Sequence, residues 1–283
     1  MSILNSGFQN LNCQGHLIDL SRPKIMAIVN LSPDSFYHSL DPNNSDAVLR
    51  YAEKLLGEGA DILDFGAMST SPGSGEIDVE LEWRRLEKAL HRVRKEFPDA
   101  IISVDTYRSF VAERALEAGA NIINDISGGM FDPAIIELVA KVKAPYILMH
   151  NRAKALDMQK HTHYDNLILE VYDYFTEKIH LLSEKGMVDI VIDPGFGFSK
   201  TIDQNYSLLK NLEVFKTLNR PLMVGISRKS MLHKTTGGTP DEVLGVGTAL
   251  HFNALLSGAH ILRVHDVAEA VRCIRVFERY SKA

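Results

Sequence analysis

Eight short apolar runs recur along the chain, each rich in Ile, Val or Leu, each closing on polar residues, and each followed by a helical pattern. The runs fall at 25–30, 61–66, 100–105, 121–125, 145–150, 190–193, 221–227 and 260–265. Continuous apolar stretches of this length suit parallel strands that are buried on both faces. The segments between them predict helices at 44–58, 81–97, 108–119, 132–142, 165–185, 203–218, 241–257 and 266–280. Asn44 and Ser45 are candidate caps for the first of these, and Gly119 is placed as a C′ glycine. Eight strand–helix pairs within 283 residues fit a (β/α)8 TIM barrel, with a doubly wound open sheet as the alternative. There is no Gly/Ser linker, low-complexity segment or composition break, so residues 1–283 read as one domain. The segment "FQNLNCQGHLIDL" precedes the first unit and reads as a hairpin-like N-terminal extension that closes the bottom of the barrel.

Composition removes several classes of function. A net charge of −5 leaves no basic footprint for nucleic acid, and no stretch is long and apolar enough to span a membrane. Two distant cysteines, Cys13 and Cys273, without paired spacing, fit reduced thiols in the cytoplasm, and the first residues lack a signal-peptide pattern.

In a barrel of this type the strand ends gather at one face, where active sites are built. Here those ends carry Asn30, Asp64, Asp105, Asn124, His150, Asp193, Ser227 with Lys229, and Arg263 with His265. One polar residue at a strand end is ordinary capping. A full ring of acids, amides and cations is a site, because burying such groups unpaired is costly. Asp105, Asn124 and Asp193 suit a flat heterocycle rich in N–H donors, since a carboxylate can accept two such bonds side by side. Lys229, Arg263 and His265 come from the last two units, where barrels often hold phosphate. Met149 and Phe198 are either apolar walls of the pocket or plain packing. His161 and His163 in "KHTHYD" have a spacing that can bind metal, but without further ligands nearby they read as a solvated loop. Lys229 as a Schiff-base lysine is disfavoured by its setting in "SRKS".

The segments "NLSPDSF" (30–36), "STSPG" (69–73), "ISVDTYR" (102–108), "IINDISGG" (122–129), "MHNR" (149–152), "DPGFGFSK" (193–200), "GISRKS" (225–230) and "RVHD" (263–266) together resemble the ordered motifs of the dihydropteroate synthase family. The resemblance implies condensation of 6-hydroxymethyl-7,8-dihydropterin diphosphate with 4-aminobenzoate, giving 7,8-dihydropteroate and pyrophosphate. It implies that Asp105, Asn124, Asp193 and Lys229 hold the pterin, with Met149, Phe198 and Gly225 lining its slot. Asn30, Arg263 and His265 would hold the diphosphate, with Mg2+ at Asn30, and Phe36, Thr70, Pro72 and Ser227 would border the aminobenzoate. Asp193, Lys229, Arg263 and His265 are the residues implied in catalysis, in a dissociative path where the C–O bond breaks first. A homodimer built on the last helices is also implied. Two positions depart from the family pattern: Ser71 replaces an arginine, and His38 an aspartate. The other readings are a pterin-binding paralogue with weak catalysis and a pterin-dependent methyltransferase on the same barrel.

Overall fold

A computed structural model of the chain describes residues 10–32, 40–68 and 75–283. The chain opens with a hairpin of β1 (Asn10–Cys13) and β2 (His16–Asp19), antiparallel and joined at Gln14 and Gly15. Both turn residues have positive φ (55° and 98°), the geometry that matches the twist of a two-residue hairpin.

The eight expected strands follow as β3 (Lys24–Asn30), β4 (Ile62–Gly66), β5 (Ile101–Asp105), β6 (Ile122–Asp125), β7 (Tyr146–Met149), β8 (Ile190–Asp193), β9 (Met223–Val224) and β10 (Ile261–Val264). All pair in parallel in the order β8-β7-β6-β5-β4-β3-β10-β9. A parallel bridge between Ile192 and Leu222 joins the two ends, so the barrel closes. Its outer helices are α1 (Ser45–Glu58), α2 (Val79–Glu96), α3 (Ser109–Glu117), α4 (Ala134–Val142), α5 (Leu167–Glu184), α6 (Ile202–Lys210), α7 (Ser230–Thr236), α8 (Leu244–Leu256) and α9 (Val267–Tyr280). Asn44 caps α1 through its side chain, and Gly119 follows α3 with φ 95°, as the sequence suggests.

Three boundaries differ from the sequence reading. The helix expected at 203–218 divides: α6 stops at Lys210, and Leu212–Leu218 is a 3-10 helix. The Asn211 side chain bonds back to the Ser207 carbonyl at 2.8 Å, a local alternative that competes with helical continuation. The strand expected at 221–227 keeps only two sheet residues, because the chain turns away at Gly225 and reaches Arg228 with φ 56°. That turn leads into α7, a short helix absent from the sequence reading.

Strand alternation sorts the side chains. Ile25, Ala27 and Val29 of β3 face the helices in the main core, whereas Met26 points into the barrel. The inward floor is Met26, Ile62, Ile101, Ile122, Ile147, Val191, Met223 and Ile261, one from each strand. The hairpin seals this floor with Leu11, Cys13, Ile18 and Leu20, so the expected bottom plug is present. Cys13 and Cys273 are both buried and unpaired, and burial pushes their thiols up to about 12 and about 11. Among the described residues no helix is long and apolar enough to cross a membrane.

Candidate active site

Two residues beyond the apolar floor, the same inward alternation places Asp64, Asn124, Met149, Asp193, Gly225 and Arg263. The site is this second interior layer, together with the loops that continue it. Asp64 is fully buried, and its Oδ2 accepts from Arg263 Nε at 2.7 Å and from Asn124 Nδ2 at 3.1 Å. Arg263 Nη2 donates to Asp105 at 2.8 Å. One guanidinium thereby knits three strands, its separate N–H groups serving two acids, and Asn124 ties in a fourth strand through Asp64. Burial works against the Arg263 cation, but Asp64 and Asp105 outweigh it and hold the guanidinium above its ordinary range. Burial raises Asp105 to about 7, with Arg263 opposing. Asp64 Oδ1 and Ser103 Oγ, both buried, have no hydrogen-bond partner among the described residues.

The loop after β8 forms the second half of the site. Gly195 has φ 71°, and a Cβ there would lie 2.1 Å from the His150 carbonyl oxygen, so only glycine fits. Asp193 Oδ1 accepts from the Gly195 amide at 2.8 Å. Burial raises the Asp193 carboxyl above its usual value, while Lys229, Arg263 and Lys200 pull the other way. Lys229 donates to the Phe196 carbonyl, and its Nζ lies 4.8 Å from the Phe198 ring centroid. Burial lowers its amine to about 8, with Asp193 resisting. Lys200 is buried and donates to the Gly195 and Phe198 carbonyls at 3.0 Å each, with His150 Nδ1 also at 3.0 Å. Burial lowers it to about 7, again resisted by Asp193. Among the described residues, three acids (Asp64, Asp105, Asp193) are therefore matched by three cations (Arg263, Lys200, Lys229).

A cavity of about 660 Å³ opens at this end of the barrel. Of the residues expected from sequence, Asn30, Asp105, Phe198, Gly225, Ser227, Lys229, Arg263 and His265 line it. Ser227 Oγ accepts from the His265 amide at 3.3 Å and sits 3.2 Å from its Nδ1. Asn124, Met149 and Asp193 are not among the lining residues of that cavity. Asn124 spends an amide hydrogen on Asp64, and Met149 packs with Tyr107, Ile126, Met158 and Phe198. Phe36, Thr70 and Pro72, with His38 and Ser71, lie outside the described residues. His163 pairs with Asp165 at 3.4 Å, both side chains exposed, and among the described residues no group of three His, Cys, Asp or Glu could hold a metal ion.

Sequence reasoning assigned no role to two groups that the structure makes central. Asp64 carries a signal, since it shares the inward register of Asp193 and Arg263. Lys200 carries only its place at the end of the glycine loop, and its fold-back beneath that loop is a tertiary fact. His150, counted in the strand-end ring, serves here as an acceptor for Lys200.

A closed (β/α)8 barrel whose mouth holds acids, an amide and cations around one cavity defines a barrel enzyme for a small, polar, anionic substrate. The model of the pterin binding enzyme family matches residues 26–265, from within β3 to the residue after β10. The chain is 39% identical over 270 residues to a dihydropteroate synthase of Escherichia coli, covering 95% of both proteins. It is 40% identical over 260 residues to one from Synechocystis, covering 90% of this chain and 89% of the other. Among solved structures, a Yersinia pestis dihydropteroate synthase in complex with a sulfonamide drug superposes with a TM-score of 0.93 at 35% identity, covering 97% of this chain and 100% of the other. The chain belongs to the pterin-binding enzyme family, on its dihydropteroate synthase branch.

Proposed function

We propose that the chain joins 4-aminobenzoate to 6-hydroxymethyl-7,8-dihydropterin diphosphate, releasing pyrophosphate and forming 7,8-dihydropteroate. The observation that carries the reading is the knit of Arg263 with Asp64 and Asp105, set in one mouth with Lys229 and His265. Related enzymes support it: a Xanthomonas albilineans dihydropteroate synthase has been solved with 4-aminobenzoic acid and with 7,8-dihydropteroate.

The residues divide the work. Asp193 and Asn124 accept and donate to the pterin edge, Lys229 donates to its oxygen or ring nitrogen, and Phe198 and Met149 bound its faces. Asp105 fixes Arg263 at the boundary between pterin and diphosphate. Arg263 and His265 take the charge of the departing diphosphate, the electrostatic help that a breaking C–O bond requires. The C–O bond breaks first, its electrons leaving with pyrophosphate, and the aminobenzoate nitrogen then bonds to the cationic methylene carbon and loses a proton. Ser227 borders the aminobenzoate; Phe36, Thr70 and Pro72, which the family resemblance assigns to the same substrate, lie outside the described residues.

The donor set fits Mg2+ only as an ion shared with substrate. Asn30 offers one amide oxygen at the cavity wall, and Mg2+ characteristically completes its shell with phosphate oxygens and water. When bound, it would neutralise charge on the leaving diphosphate. A homodimer is part of the proposal, with a second copy covering Val246 of α8 and Val276 and Tyr280 of α9, which are exposed on the last helices. Two unpaired cysteines support a cytoplasmic setting.

Pyrophosphate release measured with and without 4-aminobenzoate tests the function. Release that requires 4-aminobenzoate is expected. No release despite tight pterin binding would point to a catalytically weak paralogue and reject the reading.

A further inference from the structure

We infer that Lys200 is a positioning residue, pinning the 195–198 loop so that Asp193 and Phe198 meet the pterin. The inference rests on the proposed function of the cavity. An ammonium group carries three hydrogens, and three acceptors surround Lys200 Nζ at 3.0 Å: the carbonyls of Gly195 and Phe198, and His150 Nδ1. No hydrogen is left for a ligand, although the residue lies on the cavity wall. Its work is therefore done through the loop.

The backbone is shaped for this fold-back. Ser199 has φ 48°, an uncommon value for a residue with a side chain, and it turns Lys200 beneath the loop that precedes it. Ser199 is itself tied down, its hydroxyl donating to Asn151 at 3.0 Å and its carbonyl accepting from Tyr164 at 3.0 Å. With Lys200 as an ammonium, His150 Nδ1 is assigned as the acceptor and its ring hydrogen to Nε2, and the ring packs edge-on against Tyr174 with centroids 4.9 Å apart. A buried lysine is costly, and an apolar side chain of equal volume would fill the space more cheaply. What the lysine adds is a fixed position for two carbonyls.

The two lysines of the site hold different carbonyls of one loop. Lys200 holds those of Gly195 and Phe198, and Lys229 holds that of Phe196. When Lys229 turns its hydrogens toward the pterin it releases Phe196, and Lys200 is then the cation that keeps the loop in place.

The test measures binding of 6-hydroxymethylpterin and of pyrophosphate separately, by titration calorimetry, to the parent and to Lys200→Met. The Kd for 6-hydroxymethylpterin should rise roughly ten- to a hundredfold, the equivalent of one charge-assisted bond network. The Kd for pyrophosphate should not change. Parental pterin affinity in Lys200→Met, or a parallel loss of both ligands, overturns the inference. If Lys200→Met gives no cooperative melt, His150→Phe supplies the reading, because it keeps the ring against Tyr174 and removes one acceptor. It should weaken pterin binding about tenfold and spare pyrophosphate, and a variant with no selective loss overturns the inference. A parent that binds no 6-hydroxymethylpterin would instead defeat the functional reading beneath it.

Discussion

Replacing Asp193 by Asn changes almost no volume but removes one of the three acids that balance Lys200, Lys229 and Arg263. The side chain is only 6% exposed, so the change is felt at low dielectric. The asparagine carbonyl can keep the 2.8 Å bond from the Gly195 amide, which preserves the turn. The other carboxylate oxygen becomes an NH2 group, and a donor then faces the donor edge of the pterin. Loss of one hydrogen bond to a charged group costs roughly 1.5–3 kcal/mol, and the buried unpaired N–H adds to that. The expected result is a fall in kcat/KM of about one to two orders of magnitude or more. The melting temperature should drop by only a few degrees, because burial already holds the Asp193 charge at a cost. The assay is pyrophosphate release at limiting pterin diphosphate with saturating 4-aminobenzoate. A folded Asp193→Asn enzyme with parental kcat/KM would refute the assignment of this carboxylate to the pterin.

Pterin affinity should pass through a maximum with pH, measured by calorimetry across the range. It should rise as Asp193 ionises, above the usual carboxylate range because burial raises it. It should fall again as Lys200 and then Lys229 lose their protons, at about 7 and about 8; flat affinity would show that none of these groups acts on the ligand. Gly195→Ala should destabilise by roughly 2–5 kcal/mol, adding overpacking against His150 to a left-handed backbone. Gly186→Ala, at φ 81° with no heavy atom near the added Cβ, should lose only about 1–2 kcal/mol in the same denaturant melt. Ser71→Arg, at a position outside the described residues, should raise kcat/KM about tenfold if one charge-assisted contact to the diphosphate is restored. No gain in a folded variant would show that position 71 does not take the role that the family's arginine implies.

The recurrence of apolar runs and helical segments favoured a barrel over a doubly wound sheet, because burial on both faces leaves a parallel strand little freedom in composition, and the Ile192–Leu222 bridge decided it. Asp105, Ser227, Lys229, Arg263 and His265 were likewise legible, as polar residues where an apolar strand should not need them. Tertiary structure decided what those residues do to one another. Asp64 looks like one more strand end in the sequence, yet strand alternation turns it inward, where Arg263 and Asn124 share its single bonded oxygen. Lys200 looks like a polar residue closing a glycine loop, yet the positive φ at Ser199 folds it under that loop onto partners 5 and 50 residues away. Hydrophobic periodicity is written locally and survives in one dimension. The partner of a buried charge is fixed by closure of the barrel, which brings residues 64 and 263 to within hydrogen-bonding distance and leaves no trace of that meeting in either neighbourhood of the chain.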